Sequence, residues 1–269
     1  MRNRKGNWIL GFGLVLAASF APALNAQQVP AQSAAKSKTA NLPVGKHDIT
    51  GAWEGTAGNT LKTRGELTDW GKQRYAANKP FNGAAKNIVP VEQSNDPFVK
   101  CDPMGFPRSV FFETRGIEFD PLPKKMLELF QYQKIWREIW MDGRQLPKNV
   151  GGSDVNAPDP RWYGYSIGHW ADDTTFVADT VGMDERTWLD ALGDPHSVQL
   201  KTEERYRRAD HDDLELIVHI DDPVAYVKPF DTKQVFKWNP KGEVDEQMCV
   251  PSEAQAYFDI IAGPAGKKK

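Results

Sequence analysis

The chain has 269 residues, with 34 Lys and Arg against 36 Asp and Glu, 40% hydrophobic and 26% charged side chains. That composition supports a sizeable buried core and excludes a disordered, collagen-like or basic nucleic-acid-binding chain. Removal of Arg2, Arg4 and Lys5 with a leader takes the formal charge from −2 to −5.

Those three cations precede an apolar run from Trp8 to Phe20, then Pro22 and the stretch Ala23-Leu24-Asn25-Ala26. The order predicts a signal peptide over residues 1–26 and a periplasmic or secreted mature protein. No later segment approaches the roughly 20 apolar residues of a membrane helix, so no span is expected after leader removal. Residues 27–46, rich in Ala, Gln, Ser and Lys, predict a flexible linker. One domain is expected over 47–262, followed by a disordered tail over 263–269 that ends in three lysines.

The first strand is expected in Asp48-Ile-Thr-Gly-Ala-Trp-Glu-Gly55, which resembles the Gly-x-Trp opening of lipocalin-like barrels. A helix follows over 67–78, with Thr68 as its cap. Export then gives Cys101 and Cys249 a meaning. In an oxidising compartment they are expected to form one disulfide, tying an early loop to the C-terminal region.

Beyond Cys101 the dominant hydrophobic period is two. Short strands are expected over 109–114, 125–133, 135–141, 162–170, 175–181, 198–208, 213–221 and 232–238. In the clearest, Leu214, Leu216, Val218 and Ile220 share one face. Mostly short Gly, Pro and Asp breaks separate these segments, which predicts an antiparallel meander. The expected fold is mostly β, an antiparallel lipocalin-like barrel with one or two short helices, with a β-sandwich as the alternative.

The chain contains no nucleophile elbow, phosphate-binding Gly-rich loop, zinc-binding His-Glu-x-x-His or dinucleotide turn. His47, His169, His196, His211 and His219 lack the local spacing of metal ligands, so neither metal nor other cofactor is expected. Polar groups instead crowd beside aromatics in Trp136-Arg-Glu-Ile-Trp-Met-Asp-Gly-Arg144, Asp159 to Trp170, Arg186-Thr-Trp-Leu-Asp190, Pro195-His-Ser197, Glu203 to Arg208 and Asp221-Asp-Pro-Val-Ala-Tyr226. Over residues 98–230 these strings resemble a large, mostly uncharacterised group of exported bacterial proteins. That group's pattern combines Asp-Gly-Arg, Gly-His-Ser-Ile-Gly-x-Trp, Trp-Leu-Asp, Pro-His-Ser, Glu-Arg-aromatic-Arg-Arg and Asp-Asp-Pro-x-x-Tyr. The resemblance implies a secreted, barrel-like domain. The chain departs from the pattern at Tyr165, where the group often has His, and no imidazole role is carried over to that position.

Strand alternation assembles a candidate site. Tyr163, Tyr165, Ile167 and His169 share one strand face, and Glu204, Tyr206 and Arg208 share another. A buried carboxylate among the latter would require an arginine partner. His196 and Glu204 are the expected proton-transfer groups, with Asp190 orienting His196 and His169 on the cavity-lining face. Arg144 or Arg186 would hold an anionic group, and Trp136, Trp140, Trp188 and Tyr165 would form aromatic walls. The expected function is cofactor-independent acid–base chemistry of lyase type, a decarboxylation or elimination, on a small aromatic anion. The alternative is a non-catalytic carrier or sensor using the same cavity. A small molecule is the expected partner, nucleic acid is not, and the sequence leaves open whether copies of the chain associate.

Overall fold

The computed structural model describes residues 44–55, 61–81, 87–111 and 116–266. The expected leader, residues 27–43 of the expected linker, residues 112–114 and the last three lysines lie outside the described residues. Nine strands form: β1 (Gly51–Gly55), β2 (Gly116–Leu122), β3 (Lys125–Phe130), β4 (Ile135–Trp140), β5 (Tyr165–Trp170), β6 (Thr175–Val181), β7 (Lys201–Arg208), β8 (Asp213–Asp221) and β9 (Phe230–Trp238). Each pairs with its successor and β9 returns to β1, which closes a barrel consistent with a lipocalin-like fold. Closure gives every strand a neighbour on both sides and so removes most of the free edge that an open sandwich would have to protect.

One seam corrects the all-antiparallel expectation. β4 and β5 run parallel, joined only at Ile139 with Ser166 and Trp140 with Ile167. An odd number of alternating strands cannot close without one parallel contact. The connection over 141–164 supplies the long return that parallel neighbours require.

Two further differences have local causes. Where a strand was expected over 109–114, Arg108–Phe111 form the short helix α2, and all four residues are buried. A short apolar run carries no periodicity that distinguishes helix from strand. β2 was not expected, because Pro121 interrupts its alternation. At the far end of the chain, α3 (Pro251–Tyr257) continues through a wide turn at Phe258–Ala262 into helical Gly263–Gly266, so the first part of the expected tail is ordered as helix. The expected helix over 67–78 is α1 (Asp69–Ala77), capped where Thr68 Oγ accepts the Gly71 N–H at 3.1 Å.

Alternation fills the barrel with side chains. Leu214, Leu216, Val218 and Ile220 are buried, and Trp53, Phe119, Phe176, Tyr206 and Phe236 occupy the interior around them. The two ends differ. At one end lie short turns such as 123–124 and 209–212, and at the other lie the long connections after β1, β6 and β8. Among the described residues no helix is long and apolar enough to cross a membrane.

Cys101 and Cys249 are disulfide-bonded, with Cα atoms 5.3 Å apart and a sequence separation of 148. The bridge pins the turn after Pro97–Lys100 to the segment entering α3. A closure of that length contributes about 4 to 5 kcal/mol in the chain-entropy account. Cys249→Ser is therefore expected to lower the stability measured by denaturant unfolding by up to that amount, with a steeper transition, because the unlinked denatured chain exposes more surface.

Candidate functional site

The parallel seam splits towards the end that carries the long connections. Below Ile139 the edge of β4 has no ladder partner on β5, and it faces residues 161–165 across a cleft of about 590 Å3. The divergence is built at Gly164. Its φ of +65° favours glycine, and a Cβ there would lie 2.7 Å from the Val181 carbonyl oxygen. The preceding turn hangs from the β6 side instead, because the Arg161 N–H donates to the Gly182 carbonyl at 3.0 Å.

Aromatic and cationic side chains line this cleft. Alternation along β4 turns Trp136 and Trp140 outward, and Trp136 is 59% exposed, unusual for so large an apolar group. Trp162 and Tyr165 stand on the opposite wall. Arg144 lies 3.5 Å over the Trp140 ring and binds Asp142 through Nε and Nη2 at 2.9 and 2.7 Å. That hydrogen bonding holds the Asp142 carboxyl down to about 2. Arg161 stacks 4.0 Å over Tyr165 and has no carboxylate partner among the described residues.

The floor of the cleft includes Arg137 and Ser166, which point into the barrel. Arg137 is the centre of a buried network. Its Nε donates to Glu128 on β3, and its Nη2 donates to Glu204 on β7. Nη1 reaches Thr180 at 3.2 Å and Glu204 at 3.3 Å, and the Phe106 ring covers the guanidinium at 3.8 Å. Thr180 and Thr202 each donate to Glu204 at 2.9 Å, and the Tyr206 hydroxyl donates to Glu128 at 2.9 Å. Burial pushes Glu128 up towards its neutral form, Arg137 opposes this, and Glu204 reinforces it. Burial likewise keeps the Tyr206 phenol protonated. One guanidinium between two carboxylates cannot fully offset the burial of both, which is why Glu128 is shifted upward.

The expected site residues divide among three places. Arg144, Trp136, Trp140 and Tyr165 come together in the cleft. Arg186 and Trp188 line a separate hollow of about 350 Å3, where Arg186 binds Asp184 and stacks 4.3 Å over Trp162 and Trp188 is buried beneath Arg108. Glu204 belongs to the Arg137 network, and no hydrogen bond or ion pair joins it to His196 among the described residues. His169 lies exposed on the outer face of β5, whose inward face carries Ser166, Gly168 and Trp170.

Asp190 does not orient His196. It accepts backbone N–H groups from Leu61 at 3.2 Å and Leu192 at 2.9 Å. His196 is buried, with Nδ1 3.0 Å from the Ser197 carbonyl and Nε2 2.8 Å from Thr187 Oγ. Burial lowers its pKa and favours the neutral ring. The Nδ1 then carries the proton, since a carbonyl can only accept. That arrangement braces a loop.

Sequence reasoning did not single out Arg137, Glu128 or Arg161. The signal for Arg137 lay in β4, where alternation places it on the same face as Ile135 and Ile139, and the requirement for an arginine opposite a buried Glu204 called for such a residue. Among the described residues no three His, Cys, Asp or Glu side chains are placed to share a metal ion. No protein-family model, curated protein or solved structure matches the chain.

Removing one member of a buried charge network strands the rest in a dry interior. Arg137→Met alone is expected to destabilise the barrel by about 3 to 5 kcal/mol. The triple variant with Glu128→Gln and Glu204→Gln is expected to recover most of that loss, both read from urea unfolding.

Proposed function

We propose that the protein is an exported carrier or sensor of a small aromatic anion, bound in the cleft at the β4–β5 seam. The observation that carries this reading is Arg161, a cation with no carboxylate partner among the described residues, set on Tyr165 across from the exposed Trp136. Arginine's planar fork suits a carboxylate, and flat indole and phenol faces suit an aromatic ring. The cleft volume of about 590 Å3 lies within the range of small-molecule sites. The Cys101–Cys249 bridge supports an oxidising compartment, and membership of the exported group with Asp-Gly-Arg and Pro-His-Ser motifs belongs to the same reading.

Lyase chemistry is the second reading, favoured by one observation. Glu128, biased towards its acid form, is bonded to Arg137, and Arg137 reaches the cleft floor. Weighing against it, all three Arg137 nitrogens are already engaged by protein groups. The expected proton-transfer pair is also not assembled. Carriage without turnover is therefore the better supported function.

Titration of tryptophan fluorescence with a panel of aryl carboxylates, such as benzoate and cinnamate types, tests the reading. A saturating change is expected with at least one. Arg161→Ala is expected to weaken it about 10-fold or more, the value of one charge-assisted hydrogen bond. Trp136→Ala should weaken it several-fold while leaving the unfolding midpoint in place. Binding that is indifferent to Arg161→Ala overturns the site assignment, and loss of the aryl carboxylate from solution with catalytic protein favours the lyase.

A further inference from the structure

A second group of buried carboxylates lies apart from the cleft, on the connection between β6 and β7. Asp190 and Asp194 are both buried there. Asp190 Oδ1 accepts the Asp194 N–H at 3.3 Å, and its Oδ2 accepts the Leu61 N–H at 3.2 Å. Asp194 Oδ1 accepts Nε and Nη2 of Arg64 at 3.1 and 2.6 Å, whereas its Oδ2 is buried without a donor.

Both partners from outside the loop come from the segment 61–67, a strap laid over the end of the barrel that carries the long connections. Leu61 is buried in the core, and the Lys62 N–H donates to Thr232 Oγ on β9 at 3.2 Å. At Gly65 the strap presses so closely on Phe230 and Tyr226 that a Cβ would meet their rings at 2.5 and 2.7 Å. Beyond the strap, Asn78 at the end of α1 donates to the Gly193 carbonyl at 2.9 Å. The same short loop thus fastens the strap and the helix that follows it.

The charges facing Asp194 are unequal. Its own loop supplies Asp190, and the strap supplies the single guanidinium of Arg64, which is backed by Tyr75 of α1 with its ring 5.0 Å away. From the β8–β9 connection come Tyr226, whose hydroxyl donates to the Pro195 carbonyl at 2.9 Å, and Asp222, bound to the Ser197 N–H at 2.6 Å. His196 is turned towards Thr187. One cation cannot neutralise two adjacent carboxylates in a dry site, which favours the protonated form of Asp194.

We propose that Asp190 and Asp194 form a proton-sharing clasp, which holds the strap over its end of the barrel in mildly acidic solution and loosens it as the pH rises towards neutrality. Burial first, and then the charge of Asp190, push Asp194 up to about 7, against the pull of Arg64. A freed strap returns Asp194 to the ordinary carboxylate range. Between that range and about 7 the closed form therefore holds a proton that the open form lacks, and every rise in pH favours opening. Above about 7 both forms have lost it and the dependence levels off.

Hydrogen exchange of the Leu61 amide in the full disulfide-bonded chain, corrected for intrinsic exchange, tests this, with the Leu216 amide of β8 as internal control. Leu61 protection is expected to fall by up to about tenfold per pH unit between pH 5 and 7 and then flatten. Asp194→Asn should remove that slope while leaving the Leu216 profile as in wild type. A wild-type Leu61 slope that is absent, or that survives Asp194→Asn, overturns the clasp. Should that variant not fold, carboxyl carbon NMR of the wild-type protein decides. One Asp is expected to titrate near neutrality and to move higher in Arg64→Ala, and titration of every Asp below pH 5 sinks the proposal.

Discussion

The buried guanidinium of Arg137, gripped by Glu128 and Glu204, is the constraint around which the barrel is organised. Glu128 and Arg137 are directly opposed in the β3–β4 register, and Glu204 and Tyr206 approach from β7 across the interior. Such a group cannot be tolerated in a misaligned barrel. A slip of one residue in β4 would turn Arg137 outward and bury Trp136 or Glu138 in its place, leaving two carboxylates without a cation. An apolar trio of similar volume could match the stability without this penalty for error. The network therefore specifies register more than it adds strength.

That register meets a topological demand on the other side of β4. Nine alternating strands force one parallel contact, and only two residue pairs make it. The edge of β4 below that contact is left without a strand, so its outward tryptophans and the turn at 161–164 border a cleft instead of a continuous wall. Because Arg137 sits in the same strand, its inner face seals the barrel where the wall is weakest. The barrel interior stays filled, and the ligand-sized space is displaced into the wall.

Much of this was legible in the sequence, and what was not has identifiable physical causes. Period two located β6 and β8 to the residue and β9 to within two, because each has one face wholly in the core. Thr68 announced α1, and the two cysteines announced their bridge. β2 was hidden by Pro121, and the parallel seam by the fact that alternation within a strand says nothing of its neighbour's direction. The site was half visible. Trp136, Trp140, Arg144 and Tyr165 do converge, since β4 and β5 adjoin and Arg144 follows four residues after the end of β4. His196 and Asp190 suggested chemistry by residue type, but their neighbours are backbone groups of their own loop and of the strap and the Thr187 hydroxyl, contacts that no spacing rule encodes.

The asymmetry between the ends of the barrel connects these features. Turns of two to four residues close one end, and side chains there have little to do but pack. The long connections after β1, β6 and β8 gather at the other end, where backbone polar groups of non-strand segments must find partners away from a ladder. Asp96, Asp190 and Asp222 meet that need, each accepting backbone N–H groups of a connecting segment. Burying acids for this purpose requires compensating cations. Arg108 answers Asp96 with two hydrogen bonds of 2.7 and 2.8 Å, whereas Arg64 alone must serve both Asp190 and Asp194. Where the cations run short, burial pushes a carboxyl upward, inside the barrel at Glu128 and beneath the strap at Asp194. The same shortage thus recurs at two depths, in the barrel interior and at the end where the connections after β1, β6 and β8 meet.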